Sequence, residues 1–315
     1  LCHNMEGDKL QSTLPHYAYL RIADGCSNKC SYCAIPLIRG KMRSRKMENI
    51  IEEAKKFAEN GVKELVIVAQ DVTAYGIDLY KKYALPDLLK ELCKIDGIKW
   101  IRLLYCYPER MTDELIETIK TEDKVLNYID IPIQHCNKEI LRNMYRGGDE
   151  QSLRELFAKL RREIPGVVLR TTLITGFPGE TEEQFSELAE FVNDIKFERL
   201  GCFAYSAEED TPAAEMPDQV DEGERQRRAD IITSEQEIRM GEYYAGMVGN
   251  TYEVVCEGFD RYSDMYFGRS MHFAPEIDGM IYFTSAKDKS SLTIGDFVNV
   301  KITDVLENNL LGERV

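Results

Sequence analysis

The sequence predicts an α/β chain, with a TIM-like barrel followed by a small all-β, OB-like barrel. Up to about residue 205, short apolar runs alternate with amphipathic segments of helical period, which requires parallel strands joined by crossover helices. Beyond Thr251 the helical period stops, and short strands broken by Pro-, Gly- and Asp-containing turns take over. In addition, Cys26, Gln70, Tyr105, Gln134 and Gly176 all fall just past the carboxyl end of a strand candidate, the end at which such barrels carry their chemistry. The expected organisation is a linker over 1–11, a core with a terminal helix over 12–247, and a tail domain over 248–315.

Residues 17–23 form the first apolar run, and an amphipathic helix over about 47–60 leads to the second at 65–69. Further strand candidates lie at 100–106, 128–131, 167–174 and 200–205. Helical patterns at 85–94, 112–120, 137–144, 150–163 and 181–195 fill the gaps. A TIM-like barrel over about 12–235 is the expectation, and its rim can be closed, open or slightly irregular. Thr181 with Gln184 three residues on reads as a capping box after the Gly176-Phe-Pro-Gly-Glu turn. Pro217 to Gln219 marks a turn, and the charged helix over 222–244 packs on the barrel and delivers the chain to the tail. There, strands at 251–257, 265–270, 279–283 and 297–306 suggest a five-stranded barrel.

Nine cysteines are present, and three stand together as Cys26-Ser-Asn-Lys-Cys30-Ser-Tyr-Cys33. Three thiolates hold a four-iron cubane and leave one iron free for a small molecule, whereas four would saturate it. Structural zinc is the plainer alternative, but it usually takes a second cysteine pair, and none follows. The remaining cysteines are single and mostly sit in apolar runs, as small core residues do. An odd count in a 315-residue chain gives no disulfide framework and fits a reducing compartment.

Cys26-x3-Cys30-x-Tyr-Cys33 resembles the cluster motif of the radical S-adenosylmethionine (SAM) superfamily. Gly25 to Pro36, Arg39-Gly40 and Ser44-Arg45 resemble its methylthiotransferases. Gln70 to Tyr80, Tyr105-Cys-Tyr-Pro108, Asp130-Ile-Pro-Ile-Gln-His135 and Gly176-Phe-Pro-Gly-Glu-Thr181 are similar to the branch that modifies a ribosomal protein. The tRNA-modifying branch typically has Gly-x-Asn-Val at the first of these stretches and Ser/Thr-x-His-Pro at the second. Arg269-Ser270, Ala274 to Gly279 and Leu310-Leu-Gly-Glu313 resemble a TRAM domain.

The resemblance implies a [4Fe-4S] cluster on Cys26, Cys30 and Cys33 with an open iron that chelates SAM. It places Tyr32, Gln70, Asp71, Arg170 and Thr172 in the SAM-binding shell and assigns no catalytic residue beyond the cluster ligands. Residues 176–181 become a backbone platform near the methionyl portion of SAM, alongside their turn-and-cap reading. Tyr32 either closes the loop or packs near the adenine; His135 is either a buried structural histidine or a proton handler. The implied reaction uses one SAM as methyl donor and cleaves another to a 5'-deoxyadenosyl radical, which opens an aspartate β C–H bond to methylthiolation. A second [4Fe-4S] cluster belongs to an additional amino-terminal domain. The sequence starts at Leu1 a few residues before the motif, so it reads as a core plus TRAM that binds one cubane and cleaves SAM without completing methylthiolation.

Charge bears on the partner. With 40 Lys plus Arg against 55 Asp plus Glu, the net charge of −15 opposes a polyanion such as tRNA. The tail carries 6 basic and 11 acidic residues, which suits a basic ribosomal protein of the small subunit better than RNA. A reductant such as flavodoxin or ferredoxin is a further expected partner. The one dense basic run, Arg39 to Lys46, is either a solvated loop or a set of contacts to substrate, SAM or cluster edge. No apolar stretch spans a membrane and no secretory signal is present, so the expected location is cytoplasmic. A tRNA methylthiotransferase and a non-catalytic iron-sulfur protein are the alternatives.

Overall fold

The computed structural model describes residues 11–284 and 291–315. The expected linker lies almost entirely outside the described residues, as does Cys2. The chain runs β1 (Tyr17–Arg21), β2 (Ala23–Asp24), α1 (Ile35–Arg39), β3 (Arg43–Ser44), α2 (Met47–Glu59), β4 (Glu64–Val68), α3 (Leu85–Cys93) and β5 (Trp100–Leu103). It continues through α4 (Asp113–Thr121), β6 (Val125–Asp130), α5 (Lys138–Asn143), α6 (Glu150–Glu163), β7 (Val168–Thr175), α7 (Glu182–Ile195), β8 (Arg199–Ala204) and α8 (Glu222–Met247). The last part is β9 (Thr251–Asp260), β10 (Met265–Arg269), β11 (Ile281–Thr284), β12 (Phe297–Leu306) and β13 (Asn309–Arg314).

Six strands form one parallel sheet in the order β1-β4-β5-β6-β7-β8, with β1 and β8 left as edges. This is the open form of a TIM-like barrel. Alternation along the strands divides the residues between two faces. Ala18, Leu20, Leu65, Ile67, Ile101, Leu103, Ile129 and Leu169 join the helices in the main core. Tyr17, Val66, Trp100, Tyr128 and Val168 turn the other way and pack against Val255 and Ala274 of the tail. The small barrel therefore fills the amino-terminal part of the concave face, leaving the carboxyl ends of the strands open.

The tail is a closed five-stranded barrel in the order β10-β11-β13-β12-β9. Its core includes Tyr244 and Met247 from the end of α8, which runs three residues further than its charge pattern suggests. The fifth strand, β13, pairs parallel with β11 and antiparallel with β12. Strand β5 ends at Leu103 instead of Cys106 because Tyr105 turns to a left-handed φ of 64° and its N–H leaves the sheet for the Asp130 carboxylate at 2.9 Å. Among the described residues, no helix is long and apolar enough to cross a membrane.

Candidate cofactor site

Cys26, Cys30 and Cys33 sit on the loop between β2 and α1, and all three thiols are free and partly exposed. Backbone contacts fix that loop before any ligand arrives. Gly25 has φ 73°, and a Cβ there would stand 2.5 Å from the Lys41 carbonyl oxygen, so only glycine fits. Cys26 N–H donates to Gly40 O at 3.1 Å, and Ser31 donates through N–H to Met144 O at 3.0 Å and through Oγ to Asn143 O at 2.7 Å. Burial pushes the Cys26 and Cys33 thiols up in pKa, and the N–H groups of Asn28 and Ile35 pull them back.

All three thiols line a cavity of about 490 Å³ at the carboxyl ends of β4, β5, β6 and β7. Gln70, Tyr105, Tyr107, Gln134, Arg146 and Thr172 line it with them. Tyr105 and Gln134 both adopt left-handed backbone, at φ 64° and 70°. Non-glycine residues there carry strain of about 1–3 kcal/mol each, which packing at a functional rim sustains. For Gln134 the restraint is visible, since its N–H donates to Thr172 O and its carbonyl accepts from Ile174 N, each at 2.9 Å.

The donor set fits a cubane. Three free cysteines on one loop could each ligate a different iron, and the cavity leaves room beside them. No three His, Cys, Asp or Glu side chains among the described residues gather around a single ion position. A single zinc needs its ligands around one centre, whereas cubane thiolates each bind a different iron.

The structure distributes the residues of the expected SAM shell unevenly. Tyr32, Gln70 and Thr172 line the cavity with the thiols. Tyr32 accepts from Arg146 Nη1 at 3.4 Å, and the Gln70 Oε1 atom is buried without a hydrogen-bond partner. Asp71 lies behind the wall. Its carboxylate accepts from Asn28 Nδ2 at 3.0 Å, Thr73 Oγ1 at 2.6 Å and Ala74 N at 3.2 Å, and it pairs with Arg110. Arg110 also donates to Asn28 Oδ1 at 2.8 Å, so this group ties the cysteine loop to the end of β4. Arg170 lies outside the lining and pairs with Asp130 at 2.7 Å, the carboxylate that holds Tyr105 N–H. Burial pushes the Asp130 pKa up, against the pull of Arg170.

Residues 176–181 do not line the cavity. Gly176 N–H donates to Glu180 Oε1 at 3.0 Å, and Thr181 and Gln184 form the capping box of α7, so the turn-and-cap role is the one the contacts display. His135 is fully buried. Its Nδ1 accepts from Asn137 N at 2.9 Å, which leaves the proton on Nε2, 3.5 Å from Glu180. Glu180 also pairs with Arg228 at 2.7 Å; burial would raise its pKa, but His135, Gly176 N–H and Arg228 together lower it.

The basic run is mostly a brace. Arg39 and Arg43 pair with the buried Asp24 at 3.4 and 3.2 Å, and Arg45 is the one that faces inward, donating to Arg21 O at 2.8 Å and pairing with Glu53 at 2.6 Å. Cys106, Cys136 and Cys256 are buried, though Cys106 also lines the cavity. Arg146 and Arg110 carry no local sequence signal. Arg146 reaches the cavity from a distant loop and Arg110 pairs with Asp71 behind it, while Tyr107 stands inside the Tyr105-Cys-Tyr-Pro108 stretch.

Comparison with known proteins agrees with this geometry. Residues 20–192 match the family model for the radical SAM superfamily and residues 248–315 that for the TRAM domain. The chain is 50% identical over 307 residues to the ribosomal protein uS12 methylthiotransferase RimO of Clostridium botulinum, covering 98% of this chain and 68% of that protein. It is likewise 50% identical over 311 residues to RimO of Caldanaerobacter subterraneus subsp. tengcongensis, covering 98% and 70%. Among solved structures, the radical SAM enzyme coproporphyrinogen III oxidase (HemN) of Escherichia coli superposes with a TM-score of 0.54 at 18% identity, over 73% of this chain and 54% of that one. The radical SAM methyltransferase TsrM of Kitasatospora setae superposes at 0.53 with 16% identity, over 63% and 38%. At these identities the two structures show a shared fold, while the curated relatives carry the narrower likeness. The chain belongs to the radical SAM superfamily and, within it, to the RimO-type methylthiotransferases.

Proposed function

We propose that this enzyme attaches a methylthio group to the β carbon of an aspartate in ribosomal protein uS12. The observation that carries the reading is the set of three thiols, with no fourth cysteine on their loop, opening on a cavity at the carboxyl ends of the parallel strands. Cys26, Cys30 and Cys33 would hold the cluster, and Tyr32, Gln70 and Thr172 would face SAM. When bound, the cluster supplies the electron that cleaves SAM, giving an oxidant strong enough for an unactivated C–H bond. The chain's own residues bind, orient and exclude water: Tyr105 and Tyr107 wall the cavity, and the Asp71–Arg110–Asn28 group holds the loop in place.

Asp71 and Arg170 act through other residues in this reading, since neither lines the cavity. A second [4Fe-4S] cluster would carry the methylthio group, and a flavodoxin or ferredoxin would supply electrons. The acidic chain suits a basic ribosomal protein in the cytoplasm and disfavours tRNA.

Anaerobic reconstitution, with iron, sulfide and 5'-deoxyadenosine measured, tests the site. About four iron and four sulfide per chain are expected. Cys26→Ala, Cys30→Ala and Cys33→Ala should each abolish deoxyadenosine formation. Stoichiometric zinc in place of iron would overturn the site. Modification of tRNA instead of uS12 would overturn the substrate.

A further inference from the structure

One cation in the cavity, Arg21, has no partner among the described residues. Along β1 the alternation that sends Ala18 and Leu20 to the helices sends Tyr17, Tyr19 and Arg21 to the concave face. Arg21 therefore lines the cavity at the carboxyl end of its strand, beside Val68, its register partner on β4. Its carbonyl is fixed by Arg45 Nη1 at 2.8 Å, but its guanidinium makes no hydrogen bond or ion pair among the described residues.

The other arginine of the cavity is committed. Arg146 donates to Pro132 O at 2.9 Å and lies over the Tyr107 ring at 4.1 Å. Asp71 and Asp130, the buried carboxylates at the strand ends, are already paired with Arg110 and Arg170. Gln70 lines the same wall, but its unbonded Oε1 is buried and not open to the space. A fork of N–H donors left unsatisfied on the wall of this cavity calls for a ligand that brings a carboxylate.

We propose that Arg21 binds a carboxylate inside the cavity. The inference rests on the methylthiotransferase reading, which brings two such groups: the side-chain carboxylate of the substrate aspartate and the methionyl carboxylate of SAM. In a chain of net charge −15, an inward arginine free of internal partners offsets the repulsion that either anion would meet.

The test uses cluster-loaded protein as wild type, Arg21→Gln and Arg21→Lys. Equilibrium binding is measured for SAM, for uS12, and for uS12 with its target aspartate changed to asparagine. Because the guanidinium makes no hydrogen bond or ion pair among the described residues, all three proteins should melt alike.

If the carboxylate is the substrate's, wild type prefers the aspartate form and Arg21→Gln loses about ten- to hundredfold of that affinity, while SAM binding stays the same. Arg21→Lys recovers part of it, since it keeps the charge and loses the fork. If the carboxylate belongs to SAM, SAM binding falls instead and the preference for aspartate persists. Arg21→Gln matching wild type in both measurements would overturn the inference. Wild type that ignores both forms of uS12 and takes tRNA would overturn the substrate reading, and the SAM measurement would still decide Arg21.

Discussion

Tyr32 stands between the second and third cysteines of the loop, and Arg146 holds the space around it. Arg146 donates to Pro132 O and to the Tyr32 hydroxyl and stacks on Tyr107, in a setting that is nine-tenths buried. Truncating it removes a charge-assisted hydrogen bond and a desolvated cation–π contact, together worth about 3 kcal/mol. Arg146→Ala should therefore lower the urea midpoint with an unchanged slope, and the loosened loop should retain less iron after reconstitution. A midpoint equal to wild type would show that the arginine is bystander packing. The three cysteines were legible in the sequence because their spacing is local and their chemistry narrow. Arg146 was not, because its bond to Tyr32 spans 114 positions and nothing near either residue announces the pairing. Asp71 shows the reverse case: an acidic residue at a strand end looks like a ligand contact, and only the three-dimensional pairing with Arg110 reveals it as a brace behind the wall.

At the scale of elements, local rules and tertiary outcome agree closely. Helix α6 occupies the residues its period suggests, and α7 starts at the capping box of Thr181 and Gln184, with bonds of 3.3 and 3.0 Å. Thr181→Ala removes the cap and should cost about 1 kcal/mol, read as a lower thermal midpoint. Thr181→Ser should restore most of it, because the hydroxyl is what accepts the Gln184 N–H. Deoxyadenosine formation should be the same in both variants, since Thr181 does not line the cavity. A loss of cleavage without a loss of stability would instead support the platform role near SAM. Strand ends were less legible. Tyr105 leaves β5 early because the Asp130 carboxylate captures its N–H, and hydropathy carries no trace of that bond. The fifth strand of the small barrel could be named only by resemblance, since Gly312 and Glu313 dilute its apolar pattern.

The whole molecule depends on how the small barrel seats in the open one, and a buried ion network makes that joint. Glu64 of β4 accepts from Arg102 of β5 at 2.7 Å and from Arg269 of β10 at 2.9 Å. Arg269 also pairs with Glu257 at 2.7 Å, which in turn meets His16 at 3.0 Å. Burial by itself would push the Glu64 carboxyl up, but the two guanidiniums outweigh it and bring the pKa down from 4.5 to about 2. Above pH 4.5 the carboxylate is ionised in both folded and unfolded chains, so the full contribution of the clamp is present. As pH falls from 4.5 towards about 2, the unfolded chain takes up a proton that the folded one refuses, and stability is lost through that window. Glu64→Gln leaves two buried guanidiniums facing a neutral amide, an arrangement that should cost about 3–5 kcal/mol at neutral pH. Urea unfolding followed across pH separates the two effects: the variant should start lower at pH 7 and lose less between pH 5 and 3 than wild type. Parallel curves would place the acid sensitivity elsewhere. An unchanged stability at pH 7 would mean that the apolar contact of Trp100 and Phe297, whose rings meet edge-on at 4.8 Å, carries the seat without the ions.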